Sequence, residues 1–187
     1  DVSGKGIPAS LIMAMARSVL RSQAPHQRSP AEVLSRVNEQ LYPDIKEDMF
    51  ISMAYVILER DSSTLKLCRA GHDAPLHFHA HDRSVTKVKP SGMAVGIDSG
   101  GAFNRVTGDF SLTLEPGDCL IFYTDGITEA VDVAGEEFGM ERVIAAIQAS
   151  ATEGAAGILT RLTDDLRAFI GNQPLIDDVT LIVIRKK

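Results

Sequence analysis

The sequence contains no tryptophan, and only 5% of its residues are aromatic, so its core must be built largely from aliphatic side chains. Cysteine is as scarce. Cys68 and Cys119 are the only two; each sits inside an apolar, strand-like run, and neither has a metal-type or redox spacing. This leaves no disulfide framework and fits buried, reduced thiols in a cytoplasmic protein. No uninterrupted apolar run approaches the roughly 20 residues of a membrane-spanning helix, and no signal-peptide pattern opens the chain. Positive charge is in deficit, with 19 Lys and Arg against 25 Asp and Glu, for a net charge of −6 and a pI near 5.3. Such a surface disfavours nucleic acid or an anionic membrane as a partner. It would repel a phosphorylated ligand too, unless cations neutralise the site locally. An initiator methionine is also missing. Asp1 opens directly into Val2-Ser3-Gly4-Lys5-Gly6, a loop expected to follow a strand, which points to a fragment that has lost an upstream segment.

What remains is an ordinary globular composition, 44% hydrophobic and 24% charged over 187 residues, enough for one domain spanning residues 1–187. Pro8 opens a helix where its missing N–H costs nothing, and Leu11, Met15 and Val19 continue at helical spacing to about Gln23. Ser29-Pro30, a cap followed by a first-turn proline, opens a second helix with Val33, Leu34, Val37 and Leu41 on one face and Pro43 at its end. The β-branched run 50–59, a turn at Asp61-Ser62-Ser63 and a return over 64–69 predict a hairpin. Short strands are predicted at 76–79 and 84–88. Strands 110–114 and 119–124 are predicted to pair across the turn Glu115-Pro116-Gly117-Asp118. Helices at about 140–150 and 155–169 and a strand over 179–185 complete the order. Strands and helices do not alternate, so a doubly wound parallel sheet is disfavoured; an α+β domain with helices layered on antiparallel sheet is expected. Met13, Met15 and Met93 read as core filler.

The aspartates carry the chemistry. Asp125 ends the apolar run 120–124 and is followed by Gly126. Asp177 and Asp178 immediately precede the apolar run 179–184, and Asp1 precedes a glycine-rich turn into a helix. Carboxylates at strand ends are either turn formers and caps or, where a shared sheet edge gathers them, oxygen ligands for Mg²⁺ or Mn²⁺. Two such ions activate water, clamp a phosphoryl oxygen and neutralise an acidic site.

A resemblance chooses between these readings. Asp-Val-Ser-Gly-Lys-Gly-Ile-Pro-Ala-Ser (1–10) resembles the first metal-binding motif of the bacterial SpoIIE-like branch of the PPM phosphatases. Ala70-Gly71-His72-Asp73-Ala74-Pro75 is similar to that branch's Ala-Gly-His-Asn-x-Pro loop. Pro116-Gly117-Asp118, the stretch Tyr123-Thr124-Asp125-Gly126-Ile127-Thr128-Glu129-Ala130, Phe138-Gly139 and Asp177-Asp178-Val179-Thr180 follow in the family's order, and together they span essentially the whole chain. The resemblance implies an antiparallel β-sandwich flanked by helices. It implies two divalent cations, Mn²⁺ or Mg²⁺, with Asp1 bridging, the Val2 main-chain carbonyl on one ion, Asp125 and Asp177 as further ligands and Asp178 as an additional candidate. It implies in-line hydrolysis without a phosphoenzyme. The substrates implied are phosphoserine or phosphothreonine proteins of sigma-factor regulation, such as an anti-anti-sigma factor, with a sensor or receiver domain upstream.

The chain departs from the family pattern in several places. Ser3 stands where eukaryotic relatives have a histidine, Asp73 replaces the usual asparagine, and the upstream strands with their phosphate-binding arginine and Gly-Gly-Asp element are absent. Missing strands would leave Asp1 at a frayed terminus and a sheet edge open to homodimer formation. Near the substrate, Ser3 is a candidate, Lys5 either faces a phosphate or is solvated, and His72 either contacts substrate or packs its loop. His77, His79 and His81 alternate, so a strand would place them on one face, as a zinc site or as the polar face of a hairpin. Gly4-Lys5-Gly6-Ile7-Pro8-Ala9 fits Gly-x-Gly-x-x-Ala, but no second strand follows and an oxidoreductase is set aside. The alternative to an enzyme is a catalytically silent phosphatase-like module that binds a regulatory partner. The three aspartate positions favour the enzyme, since a pure scaffold need not keep them.

Overall fold

In the computed structural model, which describes residues 1–46, 48–60 and 62–187, the chain divides into two compact units. The first comprises Asp1–His72 and Pro90–Thr113, the second Asp73–Lys89 and Leu114–Lys187.

The first unit opens with α1 (Ile7–Gln23), which has proline in its first turn. Helix α2 (Pro30–Leu41) starts from Ser29, whose hydroxyl accepts the Glu32 N–H at 3.1 Å. A cap of this kind contributes about 1 kcal/mol. The strands are β1 (Met53–Leu58), β2 (Thr64–Ala70) and, later in the chain, β5 (Phe110–Thr113), paired antiparallel in the order β1-β2-β5. Val33, Leu34, Val37 and Leu41 of α2 pack with Ile12 and Ala16 of α1 and with Cys68 and Ala70 of β2. Each fully buried Leu or Val of this set contributes about 1.5–3 kcal/mol. A short helix, α3 (Gly101–Val106), adds buried Phe103 to the same core. Asp98 starts it, taking the N–H groups of Gly100, Ala102 and Phe103 at 2.7–3.0 Å.

The second unit contains β3 (Leu76–Phe78), β4 (Val85–Lys87), β6 (Cys119–Tyr123) and β7 (Leu181–Arg185), all antiparallel in the order β4-β3-β6-β7. Helices α4 (Gly139–Ser150) and α5 (Gly154–Ile170) pack on each other and on this sheet. Leu76, Phe78, Cys119, Ile121 and Tyr123 meet Val143, Ile147, Ile158 and Leu162 there. By length and composition alone the helical run 139–170 could cross a membrane, a feature that reading apolar runs residue by residue passes over. It is broken between the two helices, where Gly154 takes a φ of 85°, and the apolar face of each half lies in the core.

The α+β class with helices on antiparallel sheet stands, and most elements fall within one to three residues of their predicted limits. The hairpin does not join 110–114 to 119–124. The turn forms, with the Asp118 N–H on the Glu115 carbonyl at 2.9 Å, yet β5 pairs with β2 whereas β6 lies between β3 and β7. Continuous apolarity explains the choice for β6. Cys119, Leu120 and Ile121 are all fully buried, which suits a central strand paired on both edges. Helix α1 is also out of phase with expectation. Ile12 and Ala16 are buried while Leu11, Met13 and Met15 are exposed, so of the methionines named as core filler only Met93 packs against the core. The 50–59 strand shortens to β1, and α3 was not anticipated. Asp61 of the predicted turn lies outside the described residues.

Candidate active site

In the second unit, the end of β6 is tied to the segment before β7. Beyond Tyr123 the Thr124 N–H donates to the Thr180 carbonyl at 3.2 Å. The Thr124 hydroxyl donates to the Asp178 carbonyl and accepts the Thr180 N–H, both at 2.9 Å. Asp125 then starts a tight turn, Asp125–Ile127. Its carbonyl is held by the Glu129 N–H at 2.8 Å and the Thr128 hydroxyl at 3.1 Å. Gly126 lies directly against the neighbouring segment. A Cβ there would stand 2.4 Å from the Asp178 carbonyl oxygen and 3.3 Å from that of Asp177. This approach brings the backbone just after Asp125 against that of Asp177 and Asp178. The Asp177 carboxylate accepts the Asp178 N–H at 2.9 Å, Asp177 and Asp178 are exposed, and Asp125 is half-buried. Carboxylates at these three positions offer only hard oxygen donors, and the backbone contact at Gly126 admits only glycine. Such a donor set fits Mg²⁺ or Mn²⁺ and does not fit a thiolate-seeking metal.

In the first unit, Asp1–Ser3 runs antiparallel to Phe50–Ser52. Asp1 and Ser52 exchange both backbone bonds, at 2.9 and 2.8 Å, and the Ser3 N–H reaches the Phe50 carbonyl at 2.9 Å. Asp1 is therefore paired along a strand rather than frayed. Because the paired residues alternate, the intervening Val2 carbonyl points to the other side of the strand from Ile51, as a main-chain ligand must. The Ser3 hydroxyl accepts the Phe50 N–H at 2.8 Å, which commits it to holding backbone. Lys5 is exposed between Gly4 and Gly6, both at positive φ. His72 sits just after Gly71, whose φ of 71° and contact with Ala94 leave no room for a side chain. The His72 Nδ1 pairs with the Ser52 hydroxyl at 2.8 Å and its carbonyl takes Arg69 Nη1 at 2.8 Å. One residue, Ser52, thus links His72 to the Asp1 strand. Nothing in the sequence marks Ser52, which acquires this place only through the register 1–3 against 50–52.

One metal-capable cluster among the described residues lies elsewhere. His77, His79 and Asp118 hold ligand atoms all within 4.8 Å of one another. His77 does not belong to a solvent face, being only 4% exposed and paired with Asp118 at 2.9 Å. His81 lies past the strand, in a turn, exposed beside Asp82.

Antiparallel sheets carrying helix pairs, with aspartates at the strand ends, are the architecture of a PP2C-type phosphatase domain, and the chain belongs to the SpoIIE family. The family described as "Stage II sporulation protein E (SpoIIE)" matches residues 1–187. Among individual proteins the chain is similar to phosphoserine phosphatase RsbU of Bacillus subtilis (strain 168), 29% identical over 189 residues, which is all of this chain and 54% of RsbU. The chain thus spans about half the length of that relative. Among solved structures, the SiaA-PP2C domain of Pseudomonas aeruginosa superposes with a TM-score of 0.79 at 21% identity, covering 100% of this chain and 74% of that one. The catalytic domain of serine threonine protein phosphatase PstP, in complex with two manganese ions, gives 0.67 at 14% identity over 98% and 84%. At these identities the structures establish a shared fold.

Proposed function

We propose that this chain is a metal-dependent phosphoserine and phosphothreonine protein phosphatase acting in cytoplasmic signalling, with a regulatory phosphoprotein of sigma-factor control, such as an anti-anti-sigma factor, as its substrate. The observation that supports the reading is the backbone contact of Gly126 with Asp178, between the residues that follow Asp125 and Asp177 in the chain. Membership of the SpoIIE family and the similarity to a phosphoserine phosphatase support it. Asp125 and Asp177, with Asp178 alongside, would hold a divalent cation, Mn²⁺ or Mg²⁺; Asp1 and the Val2 carbonyl, in the first unit, are the further ligands that the family resemblance implies for a pair of such ions. When bound, these ions polarise the phosphoryl group and activate water for in-line attack on phosphorus.

The chain's own residues supply the placement. Thr124, just past β6, clamps the 178–180 backbone, and the Asp125 carbonyl is fixed by Thr128 and Glu129, so the main chain that carries these aspartates is held independently of any ion. Ser52 fixes the ring of His72 through Nδ1 and couples it to the Asp1 strand. Lys5 and His72 are assigned to the surroundings of the phosphate; Ser3 is assigned to the backbone of the Asp1 strand. With a net charge of −6, the protein must neutralise its own acidic site before a phosphate can approach, so turnover depends strictly on cations. The test is phosphate release from a phosphoserine protein in Mn²⁺ and in excess EDTA. Release in Mn²⁺ and none in EDTA is expected; undiminished release with the metal content verified as nil would overturn the reading.

A further inference from the structure

We propose that His77, His79 and Asp118 form a second metal site, for an imidazole-binding transition metal such as Zn²⁺, separate from the aspartate site. The cluster and Asp125 lie in the second unit, at opposite ends of β6. Asp118 precedes Cys119 and Asp125 follows Thr124, a separation of roughly 20 Å at strand rise. Their chemistry differs as well. Two imidazole nitrogens and one carboxylate suit Zn²⁺ and its neighbours in the first transition row, whereas Mg²⁺ and Mn²⁺ prefer oxygen.

The geometry is nearly that of a bound site. His77 lies on β3 and His79 just past its end, two residues on, with ring centroids 3.9 Å apart. In tetrahedral coordination, ligand atoms about 2.0–2.1 Å from zinc stand about 3.3 Å from one another. His77 Nε2 and Asp118 Oδ2 are already at 2.9 Å, so an ion replaces the shared proton with an opening of a few tenths of an ångström. The outer contacts are also in place. Asp118 is fixed by the Ala80 N–H at 2.8 Å and the Glu115 N–H at 3.1 Å. His79 Nε2 is bonded to the Thr86 hydroxyl of β4 at 2.9 Å, which leaves Nδ1 as its ligand atom. A histidine whose second nitrogen is held by an oxygen is the usual arrangement at a metal. A metal here would pin the β3–β4 hairpin to the start of β6.

The test is a Zn²⁺ titration by calorimetry, with Co²⁺ absorption as a coordination readout and thermal unfolding followed in parallel. It is run on Asp125→Asn, so that metal entering the aspartate site does not obscure the result. His77 and Asp118 support the fold, so the comparison is made with Asp125→Asn/His79→Ala and, separately, Asp125→Asn/Thr86→Val. One equivalent of Zn²⁺ is expected to bind and raise the melting temperature, with tetrahedral Co²⁺ bands. His79→Ala should weaken binding at least about ten-fold and remove the bands, and Thr86→Val should weaken it less. Equal zinc affinity with and without His79, or Co²⁺ spectra of a purely aqueous ion, would overturn the proposal.

Discussion

Replacing Gly126 with alanine tests the contact on which the site depends. The backbone there has an ordinary φ, so alanine is conformationally acceptable, and the whole effect must come from the added methyl. That carbon would lie 2.4 Å from the Asp178 carbonyl oxygen, 3.0 Å from its carbonyl carbon and 3.3 Å from the Asp177 carbonyl oxygen. All three are main-chain atoms, so no flexible side chain can swing away. Restoring an ordinary contact of about 3.4 Å moves the 177–178 backbone by about 1 Å relative to Asp125. Overpacking of this kind costs about 1–3 kcal/mol of stability. A 1 Å displacement of a positioned group lowers turnover on the order of 100-fold. The assay is Mn²⁺-dependent phosphate release alongside thermal unfolding, with Gly101→Ala as the control. Gly101 is helical, has ordinary φ and nothing within 4 Å of its added Cβ, and should show unchanged activity. If Gly126→Ala matched wild type in both activity and melting temperature, the close approach of the two segments would be refuted.

Thr124→Val removes the hydroxyl that bridges the Asp178 carbonyl and the Thr180 N–H; it should cost about 1–3 kcal/mol and lower activity, and Thr124→Ser should restore both, as read by denaturant unfolding and phosphate release. Asp98 is held below the ordinary carboxylate range by the N–H groups of Phe103 and Gly100, working against desolvation, with Ala102 adding to them. Its contribution is complete above the unfolded-state value of about 3.9 and is lost as pH falls through the lower folded value. Asp98→Asn should flatten that acid limb in a pH series of melting temperatures. Burial, with the Asp109 carboxylate adding to it, pushes the Cys68 thiol up to about 12, and burial raises Cys119 too. Neither thiol should react with a disulfide reagent at pH 8 until denaturant is added, whereupon both should.

Local chemistry made much of this legible in advance. The Ser29 cap, the Pro8 start and the apolar stripe of α2 are decided within a few residues of each other, so α2 and the start of α1 could be placed. The strand-end positions of Asp125 and Asp177, with glycine after the first, likewise announced a close backbone approach. Pairing partners were not legible. A good turn at 115–118 suggested a hairpin, but the partner of β5 is set by the free edge of β2, more than forty residues earlier. The phase of α1 failed because Leu11 and Met15 repeat at helical spacing as well as Ile12 and Ala16 do, and only tertiary packing selects between stripes. His77 looked like a surface residue because the side chain that accepts its proton, Asp118, was visible in the sequence only as the end of a turn.

The central claim, that Asp125 is a ligand of a cation on which phosphatase activity depends, is tested most directly by Mn²⁺ titration of wild type and Asp125→Asn with phosphate release measured at each concentration. Removing one anion from an acidic cluster leaves the metal-free fold intact, so both proteins should melt alike without metal. Wild type should then turn over with saturating Mn²⁺ dependence, while Asp125→Asn should bind Mn²⁺ more weakly and release no phosphate. Equal Mn²⁺ affinity and equal turnover in the two proteins would contradict the account.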